Sequence, residues 1–350
     1  MKRSLAGAVA VAMALLFTPA AHADGDTFTS VPLPFFWPDA ELRDLDADDA
    51  GDVWIAGAQG AYCVSLGSGC TLFSPGNPVV RRWNGASWKE YPLKGWTGQG
   101  PMDTVTAWGG ETWIAGTRIP EQTDYLARFD GTAFRKVEKP NRGALNTIHT
   151  GPAGTWLSHF GVDESGHWVH RRTGSTWTGY DFPLNTLNDL QALTATDAWA
   201  VGSRFVGPGP EVVPTMAHFD GSTWTAVTPP PIPASISSTF LRVAPVGPND
   251  VWALARRDLT HWNGTDWTVI PLPREFTAGR DLAVDGNGDP WVTPFTGARV
   301  PYRYSGGTWH PATIPSGKVM SYITAVPGTS TIWGVAHSGG YVDPMVLKNG

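Results

Sequence analysis

The sequence is poor in charge and has almost no cysteine. Charged residues make up 16% of the 350 residues, and the two cysteines are Cys63 and Cys70. Their proximity predicts one disulfide formed in an oxidising compartment. It would close a short loop and stabilise that loop rather than the whole fold. A two-thiol metal site is the alternative, but no further ligands stand nearby to complete one.

An excess of basic residues is also missing. The chain has 25 basic and 31 acidic residues, and removal of Lys2 and Arg3 with a leader would leave 23 basic ones and a net charge of −8. Nucleic-acid binding needs a basic field. The composition therefore argues against a nucleic-acid partner.

Long apolar runs are confined to the first residues. Lys2 and Arg3 precede the apolar stretch Leu5–Phe17, and Ala21–Ala23 forms a small-residue cleavage site. This arrangement is typical of a secretory signal peptide spanning 1–23. No later run approaches the ~18 residues that a membrane-spanning helix needs. We therefore expect a secreted, extracellular monomer that begins at Asp24, without a lipid anchor because no cysteine lies near the cleavage site.

Long amphipathic helical patterns are absent as well, whereas Gly (41), Pro (30) and Trp (18) are abundant. Seven tryptophans recur in short strand-like segments, most of them two residues after Asp or Glu: Trp54, Trp113, Trp156, Trp199, Trp252, Trp291 and Trp333. A second signature alternates with the first and consists of a glycine-containing turn followed by an aromatic residue: Trp88, Phe134, Trp177, Trp224, Trp267 and Trp309. Asn-Gly and Asp-Gly pairs supply the positive φ of tight hairpin turns.

The two signatures define a repeat of four strands. A weaker strand precedes each tryptophan strand (A before B), and a third strand leads into the turn (C before D). Four antiparallel strands repeated every ~40–50 residues are typical of a propeller blade. The sequence therefore predicts an all-β, seven-bladed β-propeller as a single domain at 24–350, with an insertion at 58–79 in the first blade.

The ends of the chain predict how the ring closes. The seventh repeat stops at Gly350, before its strand D. At the other end, Asp24-Gly25 followed by Phe28 matches the turn-plus-aromatic signature, and 31–34 resembles 270–273. We expect the mature N-terminus to supply strand D of the last blade, which would leave no open sheet edge.

Two segments, Asp48–Trp54 and Asp285–Trp291, resemble the repeats of two-component-regulator propellers and, more loosely, Asp-box repeats. The resemblance covers the whole mature chain and implies the propeller fold. Those families include sensors, lectins, lyases and glycosidases, so it implies no particular chemistry.

The repeats separate scaffold from site, because a residue type found in most blades serves the fold. By this criterion the B-strand tryptophans and the D-strand aromatics are structural. So are the basic residues of strand C, which we expect to stack on aromatics or pair with turn carboxylates: Arg82, Arg128, Arg171, His218, His261 and Arg303. Function is expected on long, variable loops held by a rigid scaffold. The B–C and D–A loops (58–79, 92–102, 117–125, 203–216 and 228–240) emerge on one face.

We therefore place a ligand site on that face, over the central channel. The candidate ligand-binding residues are Arg43, Asp44, Asp189, Arg242, Arg280, Asp281, Arg118, Arg204, Arg257, Trp37 and Trp96. Mixed carboxylates and guanidinium groups suit a polar or acidic ligand, and exposed aromatic rings suit sugars. The alternatives are a solvated ring of compensating charges and tryptophans that cover blade edges.

The sequence contains none of the common catalytic motifs. This favours a secreted, non-catalytic binding protein, with a glycan or cell-wall component as ligand and no cofactor or metal. A lyase or hydrolase using Asp44, Asp189 or Asp281 as acid or base is one alternative. A protein-interaction scaffold using the 58–79 insertion is another. The histidine-rich stretch 159–170 is not predicted to bind a metal, because His167 and His170 would point to opposite faces of a strand.

Overall fold

The computed structural model describes residues 26–49, 52–64, 72–119, 121–140, 143–205, 212–230, 232, 239–338 and 343–350. The predicted signal peptide, the Asp24-Gly25 turn and Cys70 lie outside these residues. The Cys63–Cys70 disulfide therefore stays a prediction. The described part of the chain folds into seven four-stranded antiparallel blades, one of which carries a fifth strand, and this confirms the predicted seven-bladed propeller.

Each blade contributes one strand to each of four concentric positions. The inner strands A are β2 (Glu41–Asp49), β9 (Met102–Trp108), β13 (Leu145–Gly151), β17 (Thr186–Thr194), β21 (Phe240–Gly247), β25 (Ala278–Val284) and β29 (Val319–Ala325). The strands B are β3 (Asp52–Gln59), β10 (Glu111–Arg118), β14 (Gly154–His159), β18 (Asp197–Phe205), β22 (Asp250–Ala255), β26 (Pro290–Thr296) and β30 (Ile332–His337).

The outer half of each blade is less regular. The strands C are β6 (Asn77–Trp83), β11 (Thr123–Phe129), β15 (Val169–Thr173), β19 (Val212–Phe219), β23 (Asp258–Trp262), β27 (Tyr302–Ser305) and β31 (Met345–Asn349). The strands D are β7 (Trp88–Glu90), β12 (Phe134–Lys136), β16 (Thr176–Tyr180), β20 (Trp224–Val227), β24 (Trp267–Pro271), β28 (Thr308–Pro311) and β1 (Phe28–Val31). A hairpin of β4 (Tyr62–Val64) and β5 (Leu72–Ser74) is inserted between β3 and β6, and β8 (Leu93–Lys94) pairs in parallel with β12.

The seven B-strand tryptophans form the core between blades, as predicted, and all are buried. Each packs towards outer-strand aromatics of the next blade. In six blades the strand-B tryptophan contacts the strand-D aromatic of the next blade: Trp54–Phe134, Trp113–Trp177, Trp156–Trp224, Trp199–Trp267, Trp291–Phe28 and Trp333–Trp88. Their centroid separations of 5.2–6.5 Å fall in the range of favourable aromatic pairs.

The basic residues of strand C sit directly across from these tryptophans, which confirms the scaffold role predicted for them. His261 is paired in register with Trp252 and stacks on it at 3.9 Å, while its Nε2 lies 2.8 Å from Asp250 Oδ1. In blade six, Arg303 is paired with Trp291 and lies over its ring at 5.7 Å. The arrangement satisfies the basic group while the aromatic ring stays buried.

Blade seven is assembled from both ends of the described chain. Its strand order is β1-β31-β30-β29, and β1 pairs antiparallel with β31 from Phe28 opposite Asn349 to Val31 opposite Val346. Phe28 and Val31 are buried. The strand is tied further to blade six, because Arg303 Nε and Nη2 donate to the two carboxylate oxygens of Asp26 at 2.7 and 3.0 Å.

Antiparallel order places the B–C and D–A connections at one end of every blade and the A–B and C–D turns at the other. We call the first end the loop face and the second the turn face.

In the described part of the chain, no helix is long and apolar enough to cross a membrane.

Candidate functional site

A channel with a volume of about 790 Å³ runs along the propeller axis and is lined by all seven inner strands. Its wall includes the candidates Arg43, Asp44, Asp189, Arg242 and Asp281. The space is a polar cavity rather than a plugged core, so the inner strands form a real candidate site.

Every inner strand carries a β-bulge close to the loop face. In each blade the register between strands A and B passes over one residue of strand A; these residues are in turn Arg43, Asp103, Asn146, Asn188, Leu241, Arg280 and Ser321. A bulge bends its strand and redirects side chains. It explains how two consecutive polar residues, such as Arg43 and Asp44, can both line the channel although strand neighbours ordinarily face opposite ways.

The channel carboxylates bridge neighbouring blades. Asp44 Oδ1 accepts a hydrogen bond from the adjacent Leu45 amide at 3.0 Å. Its Oδ2 accepts a hydrogen bond from the Val105 amide of blade two at 2.9 Å. Asp189 repeats this pattern between blades four and five, with both bonds 2.9 Å long, one of them from Val243. These side chains therefore hold inner strands together as well as lining the cavity.

Arg242 is the guanidinium that faces these carboxylates inside the channel. Its Nε donates to Asp281 Oδ1 at 2.8 Å, and Asp281 Oδ2 accepts the Ile323 amide of blade seven at 3.0 Å. Attraction to Asp281, Asp189 and Asp44 raises the pKa of Arg242 although burial opposes the shift. One arginine is therefore attracted to three aspartates.

Burial and repulsion between neighbouring carboxyl groups raise the pKa values of the aspartates in the channel. Burial raises the pKa of Asp44 well above its ordinary value, with repulsion from Asp46 and Asp281 adding to the effect. Burial also raises the pKa of Asp46 to about 6 and that of Asp189 to about 6. Burial therefore favours the neutral, protonated form of these carboxyl groups over their charged form.

Neutral side chains make the same interblade contacts elsewhere. Asn146 Nδ2 donates to the Leu187 carbonyl at 2.7 Å, and Asn188 Nδ2 donates to the Phe240 carbonyl at 2.6 Å. His149 Nε2 accepts from the Ala192 amide at 3.2 Å. These residues continue the interblade bonding around the ring.

The loop-face mouth of the channel contains the second group of candidates. Arg43 is held by Glu41 at 3.0 Å and Asp103 at 2.7 Å. Arg280 does not line the channel itself; it donates to the Tyr322 hydroxyl, with its guanidinium 4.5 Å from that ring and 5.5 Å from the ring of Phe295. The mouth is therefore a ring of mixed, partnered charges.

The remaining candidates lie outside the channel. Arg118 donates to Thr97 Oγ1 at 3.1 Å, Arg257 donates to the Thr277 carbonyl at 3.2 Å, and Arg204 is exposed at the end of β18. Trp96 packs edge-on against Tyr125 at 5.3 Å and covers a blade edge. Trp37, in contrast, is 61% exposed.

Exposed apolar side chains on the loop face were missed by the sequence reasoning, which considered only tryptophans there. Among the described residues, eleven large hydrophobic side chains are exposed, and two of them, Trp108 and Val246, lie on the turn face. The other nine surround the loop face: Phe35, Trp37, Tyr62, Val64, Phe73, Phe160, Val162, Phe205 and Phe295. Inspecting the long loops for every apolar residue type would have found them.

The histidine stretch of blade three packs as a structural cluster. His170 Nε2 lies 2.9 Å from Asp163 Oδ2, and the rings of His159 and His170 are edge-to-face at 5.6 Å. Within the described ranges, no group of three His, Cys, Asp or Glu residues is placed to hold a metal ion.

Comparisons with known proteins give the fold and little more. No protein-family model matches the chain, and no curated protein matches it. Among solved structures, it is similar to YCF48 bound to a D1 peptide (TM-score 0.59, 14% identity, covering 92% of this chain and 94% of that one). It is also similar to a catalytically inactive virginiamycin B lyase from Staphylococcus aureus with quinupristin (0.63, 16%, 92% and 99%).

A third similar structure is the extracellular domain of a hybrid two-component system from B. thetaiotaomicron (TM-score 0.59, 12% identity, covering 92% of this chain and 39% of that one). At these identities the likeness establishes the propeller fold alone.

Proposed function

We propose that this protein is a secreted, non-catalytic binding module whose ligand sits on the loop face over the channel mouth. The observation that carries the proposal is the distribution of exposed apolar side chains, of which the described part of the chain has nine on the loop face and two on the turn face. Exposed apolar side chains gathered at one end of a protein are typical of a surface that binds a ligand or partner. Function also concentrates on loops that a rigid scaffold positions.

The state of the channel carboxylates supports binding over catalysis. Asp44 and Asp189 each use both oxygens on backbone amides, and Asp281 is shared between Arg242 and the Ile323 amide. A general acid or base must exchange a proton with substrate through one of its oxygens. At these three groups that exchange would compete with hydrogen bonds that hold neighbouring inner strands together.

Secretion rests on the N-terminal segment and agrees with the extracellular origin of one of the similar domains. The sequence alone favours a glycan or cell-wall component as the ligand. YCF48 was solved with a peptide, and phenylalanine and valine supply most of the apolar loop-face residues. Both points favour a polypeptide ligand.

The test screens the chain from residue 24 against three probe classes: a glycan array, insoluble cell-wall polysaccharides and a random peptide display library. Each hit is repeated with a loop-face variant, Phe160→Ser with Phe205→Ser and Phe295→Ser, and with a turn-face control, Trp108→Ser with Val246→Ser. Loss of binding in the loop-face variant alone supports the proposal. Absence of any hit, or loss only in the turn-face control, overturns it.

A further inference from the structure

The side chains that line the channel lie in tiers between its loop-face and turn-face ends. On each inner strand they alternate with side chains buried against the preceding blade, such as Val105 and Ala107. Interblade hydrogen bonds fix the level of each tier, since Asp46, for example, accepts from the Ala107 amide of the next blade at 2.8 Å. The tier at the turn face includes Trp108, Gly151, Leu193, Val246, Asp285 and Val326. This end of the channel is therefore largely apolar.

The charged side chains along the channel have partners within the protein. Six aspartates of the inner strands accept hydrogen bonds: Asp44, Asp46, Asp48, Asp189, Asp281 and Asp285. Arg242 is paired with Asp281. At the loop-face mouth, Arg43 is held by two carboxylates and Arg280 donates to a tyrosine hydroxyl. Burial also raises the pKa of Asp44 and Asp189, which favours their neutral form. Among the described residues of the wall, no charged group is left as an unengaged partner for an ion.

Three neutral polar side chains of the wall are in a different state. Within the described part of the chain, the hydroxyl groups of Thr104 and Thr147 and the side-chain amide of Gln191 take part in no hydrogen bond, although all three residues line the channel. They belong to β9, β13 and β17, the inner strands of three consecutive blades. Hydroxyl and amide groups can both donate and accept. These groups are available to a ligand inside the channel.

The same sector becomes apolar where the channel opens on the turn face. Trp108 follows Thr104 by four residues on β9, and Leu193 follows Gln191 by two residues on β17. Even spacing places each pair on one side of its strand. Trp108 and Val246, the large apolar side chains that the described residues expose on the turn face, both line the channel. An apolar group in this opening would contact an indole ring and aliphatic side chains.

These two features suit one ligand with two unlike ends. A charged ligand would lose its hydration in the channel without gaining an unengaged partner of opposite charge. A ligand covered with hydroxyl groups would place some of them against Trp108, Leu193 and Val246, where their hydrogen bonds to water are lost without replacement. An uncharged molecule with one apolar and one polar end avoids both penalties.

The spacing of the side chains sets the size of such a molecule. Along an extended strand, two residues span about 7 Å and four span about 13 Å. A ring at Trp108 with a polar group about 7–13 Å away would therefore reach the level of Gln191 or Thr104. The whole channel, at about 790 Å³, falls within the ~300–1,000 Å³ of small-molecule sites.

The geometry points to a small-molecule site in the turn-face half of the channel that takes an uncharged aromatic or alicyclic compound carrying a hydroxyl or amide group. The ring of the ligand lies against Trp108, Leu193 and Val246, and its polar group bonds to Thr104, Thr147 or Gln191. This site opens at the end of the channel opposite the loop face, and it does not depend on the proposed function.

The experiment measures binding of small probes to the chain from residue 24 by saturation-transfer NMR and titration at neutral pH. The neutral probes are phenylpropanol, cyclohexylpropanol, phenylpropanamide and naphthylethanol. Phenylpropylamine and phenylpropanoate carry a positive and a negative charge on the same carbon framework, and glucose serves as a polar ring without an apolar end.

Two variants, each with a matched control, locate the binding. The channel variant is Thr104→Val with Thr147→Val, which removes two hydroxyl groups at nearly constant volume, and its control is Thr178→Val with Thr268→Val on exposed positions of strands D. The turn-face variant is Trp108→Ser, and its control is Phe160→Ser on the loop face. Circular dichroism melting checks that each variant is folded.

We expect neutral probes to bind at least about tenfold more tightly than their charged counterparts and than glucose. The channel variant should weaken this binding about tenfold, as the loss of two hydrogen bonds does. Trp108→Ser should weaken it by a similar factor, because an aromatic anchor is removed. Both controls should leave it unchanged.

Three results would overturn the inference: no binding by any neutral probe, equal binding by the charged probes, and binding that survives both the channel and the turn-face variants. The loop-face proposal is judged by its own variant of Phe160, Phe205 and Phe295. A failure of the channel site is therefore distinguishable from a failure of the proposed function.

Discussion

The ring of Phe28 lies 5.6 Å from that of Trp291 at an interplanar angle of 84°. Phe28 belongs to the first described strand, β1, and Trp291 to strand B of blade six. The contact repeats the geometry by which Trp54 meets Phe134 and Trp156 meets Trp224 in other blades. The N-terminal strand thus occupies the same packing position as the outer strands D.

Removal of that strand is expected to destabilise the whole ring. A chain that starts near Phe35 loses Phe28 and Val31 from the core and exposes the edge of β31. Burial of two such side chains contributes roughly 3–6 kcal/mol, against a total of about 5–15 kcal/mol for a domain. We expect insoluble protein or a far lower melting temperature than that of the chain from residue 24.

A milder version of this test uses point variants of β1. Phe28→Ala should lower the free energy of unfolding by about 3–5 kcal/mol because it opens a cavity beside Trp291. Ser30→Ala, on the exposed side of the same strand, should change it little. Equal denaturation midpoints for Phe28→Ala and the unmodified chain would contradict the packing argument.

Among the basic residues of strand C, Arg303 is the one whose substitution is expected to lower the free energy of unfolding most. Its side chain is 8% exposed and contacts both Asp26 and Asp289 at 2.7 and 2.9 Å. Arg303→Ala would leave two carboxylates without their cation, which should cost about 3 kcal/mol or more in urea denaturation. Arg135→Ala breaks an ion pair with Asp130 at an exposed site and should have little measurable effect.

Protonation of His159 is expected to weaken the fold in acid. Burial, with Lys139 and His170 adding repulsion against the attraction of Asp124 and Asp163, lowers the pKa of His159 to about 4 from 6.5. Between these values the unfolded chain binds the proton and the folded chain does not, so stability falls as the pH drops from about 6.5 to 4. The loss should reach up to about 3 kcal/mol for this group.

Denaturation curves at a series of pH values, compared between the unmodified chain and His159→Gln, measure this contribution. The variant should lose stability less steeply between pH 6.5 and 4, whatever its absolute stability. Parallel curves for the two proteins would show that His159 does not titrate as its burial implies.

Protonation of Asp189 is expected to stabilise the fold, in contrast to protonation of His159. Its pKa is raised to about 6 from 3.8, chiefly by burial. The folded chain therefore holds this proton more tightly than the unfolded chain, and the associated stability, fully present below about 3.8, is lost as the pH rises through about 6. Asp189→Asn should remove this loss, so its stability relative to the unmodified chain should rise from pH 4 to pH 8.

The matched control for this prediction is Asn188→Ala at the neighbouring position, which removes interblade hydrogen bonds but no titratable group. It should lower stability by a similar amount at every pH. If Asp189→Asn and Asn188→Ala show the same pH profile, the carboxyl group of Asp189 is not protonated as proposed.

The amino-acid sequence alone determined the repeat and what fills it. The regular recurrence of tryptophans such as Trp54 and Trp113, each with a basic residue on the following strand, specifies seven similar units because each unit is local in sequence. The sequence also indicated which end of the blades carries long loops, since alternate connections of antiparallel strands emerge at the same end.

Only the tertiary structure decided how the channel is built. The register between β2 and β3 passes over Arg43 and so shifts by one residue. Such a shift changes which side chains face the channel. Asp44 then bonds to Val105, 61 positions away in sequence, through a contact that exists only once two blades stand side by side. The exposed rings of Phe35 and Trp37 likewise stand on a backbone that is hydrogen-bonded to Arg81 and Gln59, residues of two other strands.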